Sequence, residues 1–172
     1  STEAGKVMGL ASYAEPVFSA SDFFDIDRGC FHFKDTVPLR FRHDRRWPNE
    51  AREYEALAAS VQAALEVALL YLVQRLRELC RSDNLCYAGG VALNSIANER
   101  LIRESGYKHV YIMPAAEDSG PAVGAAYYGL WQLTGHNSRR PLAHDALGRS
   151  YSAADISAAL NNGHAVNALR ST

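Results

Sequence analysis

Apolar side chains recur at steps of three and four residues through the middle of the chain. This spacing predicts one long amphipathic helix from about Asn49, its expected N-cap, to about Cys80. Its many alanines favour close packing against another element, and its acidic first turns and basic last turns suit the helix dipole. We interpret this helix as a scaffold and not as a site. Its apolar positions are Tyr54, Leu57, Ala58, Val61, Leu65, Ala68, Leu69, Leu72, Leu76 and Leu79.

Shorter patterns precede this helix. Residues 6–14 are small and apolar and end near Pro16, which predicts a short helix or turn. Residues 23–34 place aromatic and β-branched side chains on both sides of an Asp-Arg-Gly turn, which predicts a β-hairpin. The prolines of residues 35–48 predict a loop. Its arginine-rich run, residues 40–46, is typical of a solvated loop, with a phosphate-binding patch as the less favoured alternative.

Two strand–loop–helix units follow the long helix. The loop of the first contains Gly89 and Gly90, and the loop of the second spans residues 114–119. Two such units in succession build the edge of a parallel sheet, and ligands of α/β folds bind beyond the carboxyl ends of its strands. Small residues leave one face of the last helix nearly bare, which favours tight packing or close approach of a ligand. The predicted strands are residues 85–88 and 109–113, and the predicted helices are residues 93–105 and 120–133, with Gly106 and Gly135 just beyond them.

The composition turns polar after these units, between Asn137 and Leu142, as is typical of a linker. Farther on, Ser152 precedes a short helical pattern and predicts a capped helix from Ala153 to Leu160. We therefore divide the chain into one domain at residues 1–136 and, at residues 137–172, a linker followed by the truncated start of a further domain.

Composition and charge narrow the class of protein. The chain has 172 residues, of which 48% are hydrophobic and 22% charged, as in an ordinary soluble globular domain. Its net charge of −1 gives no electrostatic case for nucleic acid or an anionic membrane as a partner. We find no apolar run near the roughly 20 residues that span a bilayer, and no secretory signal. We expect a cytoplasmic protein with reduced thiols, in which Cys80 and Cys86 are core residues.

The first candidate site is the glycine pair between a strand and a helix. Glycine there permits positive φ and lets amide groups face an anion near a helix N-terminus, although a packing role is the commoner explanation of a double glycine. The pair fits neither the dinucleotide-binding pattern GxGxxG nor a P-loop, which leaves hydride transfer and P-loop nucleotide hydrolysis without support. Asn94, four residues after Gly90, could hydrogen-bond a ligand or cap its own helix.

The second candidate is Asp118, just beyond a strand and before a glycine-rich helix. A carboxylate in this position can bind a divalent metal or a ligand hydroxyl. Position alone favours the alternative, an N-cap of the helix that begins near Gly120. Glu117 is expected to be an exposed loop residue. The six histidines form no HxxxH or HExxH pair, and no complete local metal site is visible in the sequence.

Three ordered segments resemble the O-carbamoyltransferases of antibiotic biosynthesis and nodulation. They read GKVMGLASY at residues 5–13, AGGVALN at residues 88–94 and PAAEDSG at residues 114–120, the last followed by Gly124-Ala125-Ala126. The resemblance covers about residues 1–135. It implies an α/β fold that is the second subdomain of an actin/sugar-kinase/heat-shock ATPase-like domain, similar to the tRNA threonylcarbamoyladenosine synthase, with the long helix and the hairpin as parts of it.

The resemblance also implies a reaction. In the family, a C-terminal domain makes carbamoyladenylate from carbamoyl phosphate and ATP. The N-terminal domain then passes the carbamoyl group to a hydroxyl of a sugar or natural-product acceptor, beside iron or another divalent metal. Carried over, the resemblance puts Gly89, Gly90 and Asn94 against the adenylate and makes Asp118 a metal ligand. Lys6 and Gly9 match the motif that closes around the nucleotide.

The chain departs from the family pattern in ways that limit this expectation. The family's HxxxH metal ligands belong to an earlier segment that this sequence lacks, and Glu117 and Pro121 stand where small residues are usual. We therefore expect a fragment that is inactive alone and whose exposed apolar surface favours self-association into a homo-oligomer. Two alternatives stay open: a tRNA threonylcarbamoyladenosine synthase-like protein, and a non-catalytic nucleotide-binding or interaction module.

Overall fold

The computed structural model of the chain describes residues 4–41, 51–136, 142–146 and 148–162, with the backbone alone for residues 51–53 and 162. The chain divides into two compact units, Ser1–Arg139 and Arg140–Thr172. The described parts are mixed α/β with small sheets. Their helices and strands are α1 (Ala4–Ala11), β1 (Phe24–Asp27), β2 (Cys30–Phe33), α2 (Thr36–Phe41), α3 (Ala51–Leu79), β3 (Asn84–Tyr87), α4 (Ser95–Glu104), β4 (His109–Ile112), α5 (Gly120–Thr134) and α6 (Ala153–Asn162).

Helix α3 confirms the long helix predicted from the periodicity. It begins within two residues of the predicted start and ends within one residue of the predicted end. The expected N-cap Asn49 lies outside the described residues. Near its start, α3 packs against α1, where Ala58 and Ala59 form a buried cluster with Ala11. Side chains of one carbon let the two helix backbones approach closely, as the alanine content of α3 predicted.

The later turns of α3 cover the main apolar core. Val73 forms a buried cluster with Leu85 of β3, Leu101 of α4 and Tyr107, and Leu69 packs against the same cluster. Leu101 is fully buried. Three elements separated by long stretches of sequence thus share one core, which fixes β3 and α4 relative to the scaffold helix.

The predicted β-hairpin is confirmed. Strands β1 and β2 pair antiparallel, and the turn residues Arg28 and Gly29 have φ of 48° and 88°, as in the left-handed turns that match strand twist. The ring of Phe31 meets Tyr71 of α3 edge-on, with 5.8 Å between the ring centroids. This aromatic contact attaches the hairpin to the scaffold helix.

The loop predicted for residues 35–48 is wrong in its first part, because residues 36–41 form α2. The amide of Leu39 donates to the carbonyl of Asp35 across 2.8 Å and closes the first turn. Pro38 stands within that turn, where a missing N–H costs no helical hydrogen bond. Residues 42–48, including most of the arginine-rich run, lie outside the described residues.

Strands β3 and β4 pair in parallel, with Asn84 opposite His109 and Tyr87 opposite Ile112. Helix α4 connects them, as the two predicted units require. Helix α4 begins two residues after the predicted start, because residues 90–93 form a short 3₁₀ turn before it. Gly106, with φ of +77°, ends α4 in the left-handed conformation that its position predicted. The carboxyl ends of both strands therefore meet at one edge.

The expected burial of two cysteines is wrong, and the packing alternative for α5 is not observed in the described residues. Cys80 and Cys86 are exposed, as is Cys30, so neither of the first two is a core residue. Helix α5 forms as predicted and ends at Gly135 with φ of +64°, but none of its residues is buried. Within the part of the chain that the structure describes, its small-residue face does not pack tightly on a sheet or helix. Local periodicity identifies an apolar face but not what covers it.

One helix meets the requirements for crossing a membrane by length and composition, which the sequence-based expectation had excluded. It is the segment Tyr54–Leu79 of α3. A core helix has the same properties, and this segment packs against α1, α4 and the sheet. The polar side chains of Gln62 and Glu66 interrupt it at a spacing of one turn.

The described part of the second unit contains α6, which confirms the predicted short helix and extends it to Asn162. Its cap is reciprocal: Asp155 N–H donates to Ser152 Oγ across 3.1 Å, and Ser152 N–H donates to Asp155 Oδ2 across 2.9 Å. The Ser152 hydroxyl also donates to Asp155 Oδ2 across 2.7 Å, and this bond, together with that from Ser152 N–H, lowers the pKa of the Asp155 carboxyl. The domain boundary at residues 136 and 137 stays a prediction, as does the identity of the fold with the actin-like superfold.

Ser60 is a stability determinant of the first unit. It is fully buried in α3, accepts from the amides of Val17 and Phe18 at 2.9 and 3.0 Å, and donates to Ala56 O at 2.7 Å. Because Ser60→Ala leaves two amides without their acceptor, we expect it to lower the free energy of unfolding by about 1–3 kcal/mol. Urea denaturation measures this.

The control for this substitution is Ser12→Ala. Ser12 also donates to a helix carbonyl, Gly9 O at 2.8 Å, but it is exposed. We expect a change below about 0.5 kcal/mol at this position. Equal effects of the two substitutions would contradict the anchoring role of Ser60.

Candidate functional site

The two loops that the sequence singled out are joined at the carboxyl edge of the parallel sheet. Gly89 N–H donates to Ala116 O across 2.7 Å, and Met113 N–H donates to Tyr87 O across 3.1 Å. Burial raises the pKa of the Tyr87 phenol, which belongs to the strand end beneath the loops. The pairing continues the β3–β4 ladder into the loops and places residues 88–94 beside residues 113–119.

The conformation of Gly89 requires glycine. Its φ of +106° and ψ of 168° lie in a region that other residues rarely enter. Gly90 follows as the first residue of the 3₁₀ turn, where Ala92 N–H donates to Gly89 O and Asn94 N–H donates to Val91 O. The amides of Gly90 and Val91 come before the first carbonyl-bonded amide of the turn and have no acceptor within it.

The surface at the glycine pair is open. A Cβ built on Gly89 or Gly90 would meet no atom within 4 Å, and both residues are exposed. Packing against the described part of the chain therefore does not explain the pair. A ligand could approach the backbone here and meet amide groups at the start of a turn.

Asn94 caps α4, which was the structural alternative for this residue. Its Oδ1 accepts from Ala97 N–H at 3.0 Å. Its amide also pairs reciprocally with Gln62 of α3: Asn94 Nδ2 donates to Gln62 Oε1 across 2.8 Å, and Gln62 Nε2 donates to Asn94 Oδ1 across 3.1 Å. The loop after the glycine pair is thus fixed to the scaffold helix, and a ligand role of Asn94 stays a prediction.

The contact with α3 extends beyond this pair. Gln62 Nε2 also donates to Glu66 Oε1 across 2.8 Å, and Arg100 of α4 donates to Glu66 Oε2 across 3.0 Å. The hydrogen bond to Glu66 raises the pKa of the Arg100 guanidinium. Sequence reasoning missed Gln62 and Glu66. Their signal was present: two polar residues one turn apart in an otherwise apolar helix face.

Asp118 is exposed at the end of the second loop and does not cap α5. The N-cap position belongs to Ser119, which makes no side-chain cap bond, so the cap interpretation of Asp118 is wrong. In the described residues the Asp118 carboxylate has no hydrogen-bond or ion-pair partner. Glu117 is exposed, as expected, and accepts a hydrogen bond from the Ser119 hydroxyl.

Buried residues and backbone contacts position the loop that carries Asp118. Ala115 and Ala116 are buried, and Gly120 N–H donates to Glu117 O across 3.0 Å. A Cβ on Gly120 would overlap the carbonyl oxygen of Ala115. The backbone of this loop therefore closes tightly on the start of α5, which fixes where Asp118 stands.

Lys6 and Gly9 lie on α1 and are exposed. Helix α1 packs on Ala58, one helical turn before Gln62 on the same face of α3. The helix that carries Lys6 and Gly9 and the loop that carries Asn94 therefore meet α3 at successive turns. Binding roles of Lys6 and Gly9 stay predictions.

The residues present do not complete a metal site. Among the described side chains, no three from histidine, cysteine, aspartate and glutamate come close enough together to hold a metal ion. Asp118 offers a single exposed carboxylate, whereas protein sites usually use three or more ligands.

Comparison with known proteins agrees with the position of the motifs. A family model described as carbamoyltransferase N-terminus matches residues 2–127. An uncharacterised protein of Synechocystis, sll1178, is 35% identical over 167 residues, covering 85% of this chain and 27% of the relative. The nodulation protein NolNO of Sinorhizobium fredii is 32% identical over 134 residues, covering 70% of this chain and 19% of the relative.

A further relative has a lower sequence identity. The 3'-hydroxymethylcephem-O-carbamoyltransferase of Streptomyces clavuligerus is 26% identical over 146 residues, covering 77% of this chain and 26% of the relative. The chain thus spans between 19% and 27% of the length of these three relatives.

The clash at Gly120 yields a stability prediction. We expect Gly120→Ala to lower the free energy of unfolding by about 1–3 kcal/mol, because the Ala115 carbonyl must move. Gly124→Ala is the matched control in the same helix, where a Cβ meets no atom within 4 Å. It should be neutral or stabilising by up to about 1 kcal/mol. Urea unfolding of both variants measures the difference, and equal stability would contradict the close approach.

Proposed function

The chain belongs to the O-carbamoyltransferase family, and we propose that it forms part of the transfer site of an ATP-dependent member. The carbamoyl donor is carbamoyladenylate, made from carbamoyl phosphate and ATP, and the acceptor is a hydroxyl of a sugar or natural product. One observation carries the proposal: the hydrogen bond from Gly89 N–H to Ala116 O joins the glycine loop and the Asp118 loop at one sheet edge.

The glycine loop suits the nucleotide end of the donor. The amides of Gly90 and Val91 precede the carbonyl-bonded part of their turn, and the surface in front of them is open. Donors held in this way can stabilise negative charge on the departing adenylate without reorganising. In our proposal Gly89, Gly90 and Asn94 hold the adenylate, and Lys6 and Gly9 on α1 close around the nucleotide.

In the proposed transfer, the acceptor oxygen forms a bond to the carbamoyl carbon as the bond from that carbon to the adenylate phosphate oxygen breaks. AMP leaves with the electron pair, and the proton of the acceptor hydroxyl is released to water. The chain's contribution is to fix the leaving group against backbone donors. Acceptor binding is assigned to none of the described residues.

Asp118 suits a role as one ligand of iron or another divalent metal. Its carboxylate is exposed at the same edge, and no described side chain competes for it. A bound metal would polarise the carbamoyl carbonyl as a Lewis acid. Because Asp118 is the single candidate ligand among the described residues, the remaining ligands would come from other parts of the protein.

The cellular location and the partners of the whole protein are part of the same proposal. We propose a cytoplasmic enzyme with small-molecule substrates and no nucleic-acid or membrane partner. We expect the chain alone to be inactive, because the described residues do not complete a metal site. Apolar side chains exposed on α5, such as Trp131 and Leu133, would favour self-association of the isolated chain.

Replacing Asp118 tests the proposal in the full-length protein encoded by the gene. We expect Asp118→Ala to lower transfer of labelled carbamoyl from carbamoyl phosphate, with ATP present, by about 100-fold or more. Losing even a group that only supports a metal ligand costs 10–100-fold. A panel of sugar and natural-product alcohols serves as acceptors, and the iron content of the purified protein gives a second measurement that needs no acceptor.

Glu117→Gln is the matched control, since it alters the neighbouring exposed carboxylate, which pairs with Ser119. We expect it to retain metal and activity within a few-fold. The metal-ligand role would be disproved if Asp118→Ala kept both its iron and its transfer rate.

A further inference from the structure

A cationic groove lies at the end of the parallel sheet opposite the glycine loop. Two adjoining cavities of about 470 and 460 Å³ share Arg77 and Arg81 in their walls. Ser82 lines one of them just before β3 begins, whereas Gly89 follows the carboxyl end of the same strand. Cavities of this size are typical of small-molecule sites, and this one is separate from the proposed transfer site.

The two arginines of the groove have no carboxylate partner among the described residues. The three carboxylates that line the groove are each paired with another cation: Glu78 with Arg75, Asp83 with Lys108, and Glu104 with Arg100 and Arg103. The C-terminal ends of α3 and α4 carry about half a negative charge each, which offsets only part of two full positive charges. The groove therefore favours an anion and leaves no carboxylate free for a cation.

The guanidinium of Arg77 is held in place by its neighbours. Its Cζ lies 5.7 Å from the ring centroid of Tyr107, which is itself buried in the main core. The guanidinium also fills the space that a Cβ on Gly106 would take, and the φ of +77° favours glycine at that position. Because Arg77 is already positioned, a ligand that binds it loses less side-chain entropy.

A buried hydroxyl lines the same groove. Ser105 is 3% exposed and shares a cavity with Arg77 and Arg81. Its Oγ accepts from Tyr107 N–H at 3.4 Å, but its own O–H donates to no acceptor in the part of the chain that the structure describes. Buried hydroxyl groups are normally hydrogen-bonded. A donor without an acceptor beside two unpaired arginines points to a ligand that supplies acceptor oxygens.

We propose that this groove binds a phosphate group, with Arg77, Arg81 and Ser105 as its hydrogen-bond donors. The planar guanidinium matches the spacing of two phosphate oxygens, and a serine hydroxyl can donate to a third. The shared chemistry is that of a phosphate, either the free ion or a phosphomonoester. The proposal does not rest on the proposed transfer function, because it uses none of the residues assigned to it.

Protection of arginine from phenylglyoxal in the full-length protein tests the site locally. This reagent modifies accessible guanidinium groups, and peptide mass analysis gives the modified fraction at each position. We expect orthophosphate to protect Arg77 and Arg81 in a saturable manner. Arg40 is the matched control, because it is exposed, lies over the rings of Phe18 and Phe41 and has no ion pair with a described residue. Its modification should not depend on phosphate.

Two substitutions test the donors. We expect Arg81→Gln and Ser105→Ala each to raise the phosphate concentration that half-protects Arg77 by about tenfold, as expected for the loss of a hydrogen bond to a charged group. Arg81 is exposed, so Arg81→Gln tests the site even if Ser105→Ala fails to fold. Arg40→Gln should leave the half-protecting concentration unchanged.

The same assay distinguishes the two sources of phosphate. Equal or better protection by orthophosphate than by glycerol 3-phosphate supports a site for the free ion, and stronger protection by glycerol 3-phosphate supports a site for a phosphomonoester. Three results would overturn the proposal: Arg77 and Arg81 that phosphate does not protect or that are unreactive before it is added, protection of Arg40 to the same extent, or an unchanged half-protecting concentration in a folded Arg81→Gln or Ser105→Ala variant.

Discussion

The packing of α3 is the constraint on which the first unit depends. Ala58 meets α1, Ser60 holds the chain before the hairpin, Gln62 reaches the start of α4, and Val73 belongs to the core beneath the sheet. With a rise of 1.5 Å per residue, these contacts lie within roughly 22 Å of helix. A shift of this helix would therefore displace the elements on either side of the candidate site together. The position of α3 therefore determines the positions of the loops at the sheet edge.

At the sheet edge itself, the backbone does the joining and leaves side chains available. The bond between Gly89 N–H and Ala116 O involves no side chain, so it places few demands on residue type beyond the positive φ of Gly89 and the small residue required at Gly120. The carboxylate of Asp118 is therefore exposed, and no described side chain pairs with it. This division of labour suits a binding edge, because rigid backbone fixes the position of groups that remain free to meet a ligand.

Local patterns predicted the elements, and contacts distant in sequence decided what they do. Helix α3, the hairpin and both parallel strands follow from periodicity and turn residues, which are properties of short windows. The pairing of Gln62 with Asn94 joins residues 32 positions apart, which no window contains. The burial expected for Cys86 and the packing considered for α5 are not observed for a related reason, since an apolar pattern does not show which element covers it. The loop predicted around Pro38 is wrong because proline ends a helix when it lies in the interior but is tolerated in the first turn.

The arrangement around Asn94 also answers an electrostatic difficulty of the proposed site. A nucleotide phosphate is best met by N–H donors, and a carboxylate facing it would repel it. The backbone N–H of Ala97 can only donate, so it fixes the Asn94 amide with Oδ1 toward α4 and Nδ2 toward Gln62. Gln62 separates Asn94 from the charge of Glu66, and Arg100 balances that charge on the far side. A direct contact between Glu66 and Asn94 would bring a carboxylate beside the proposed nucleotide site.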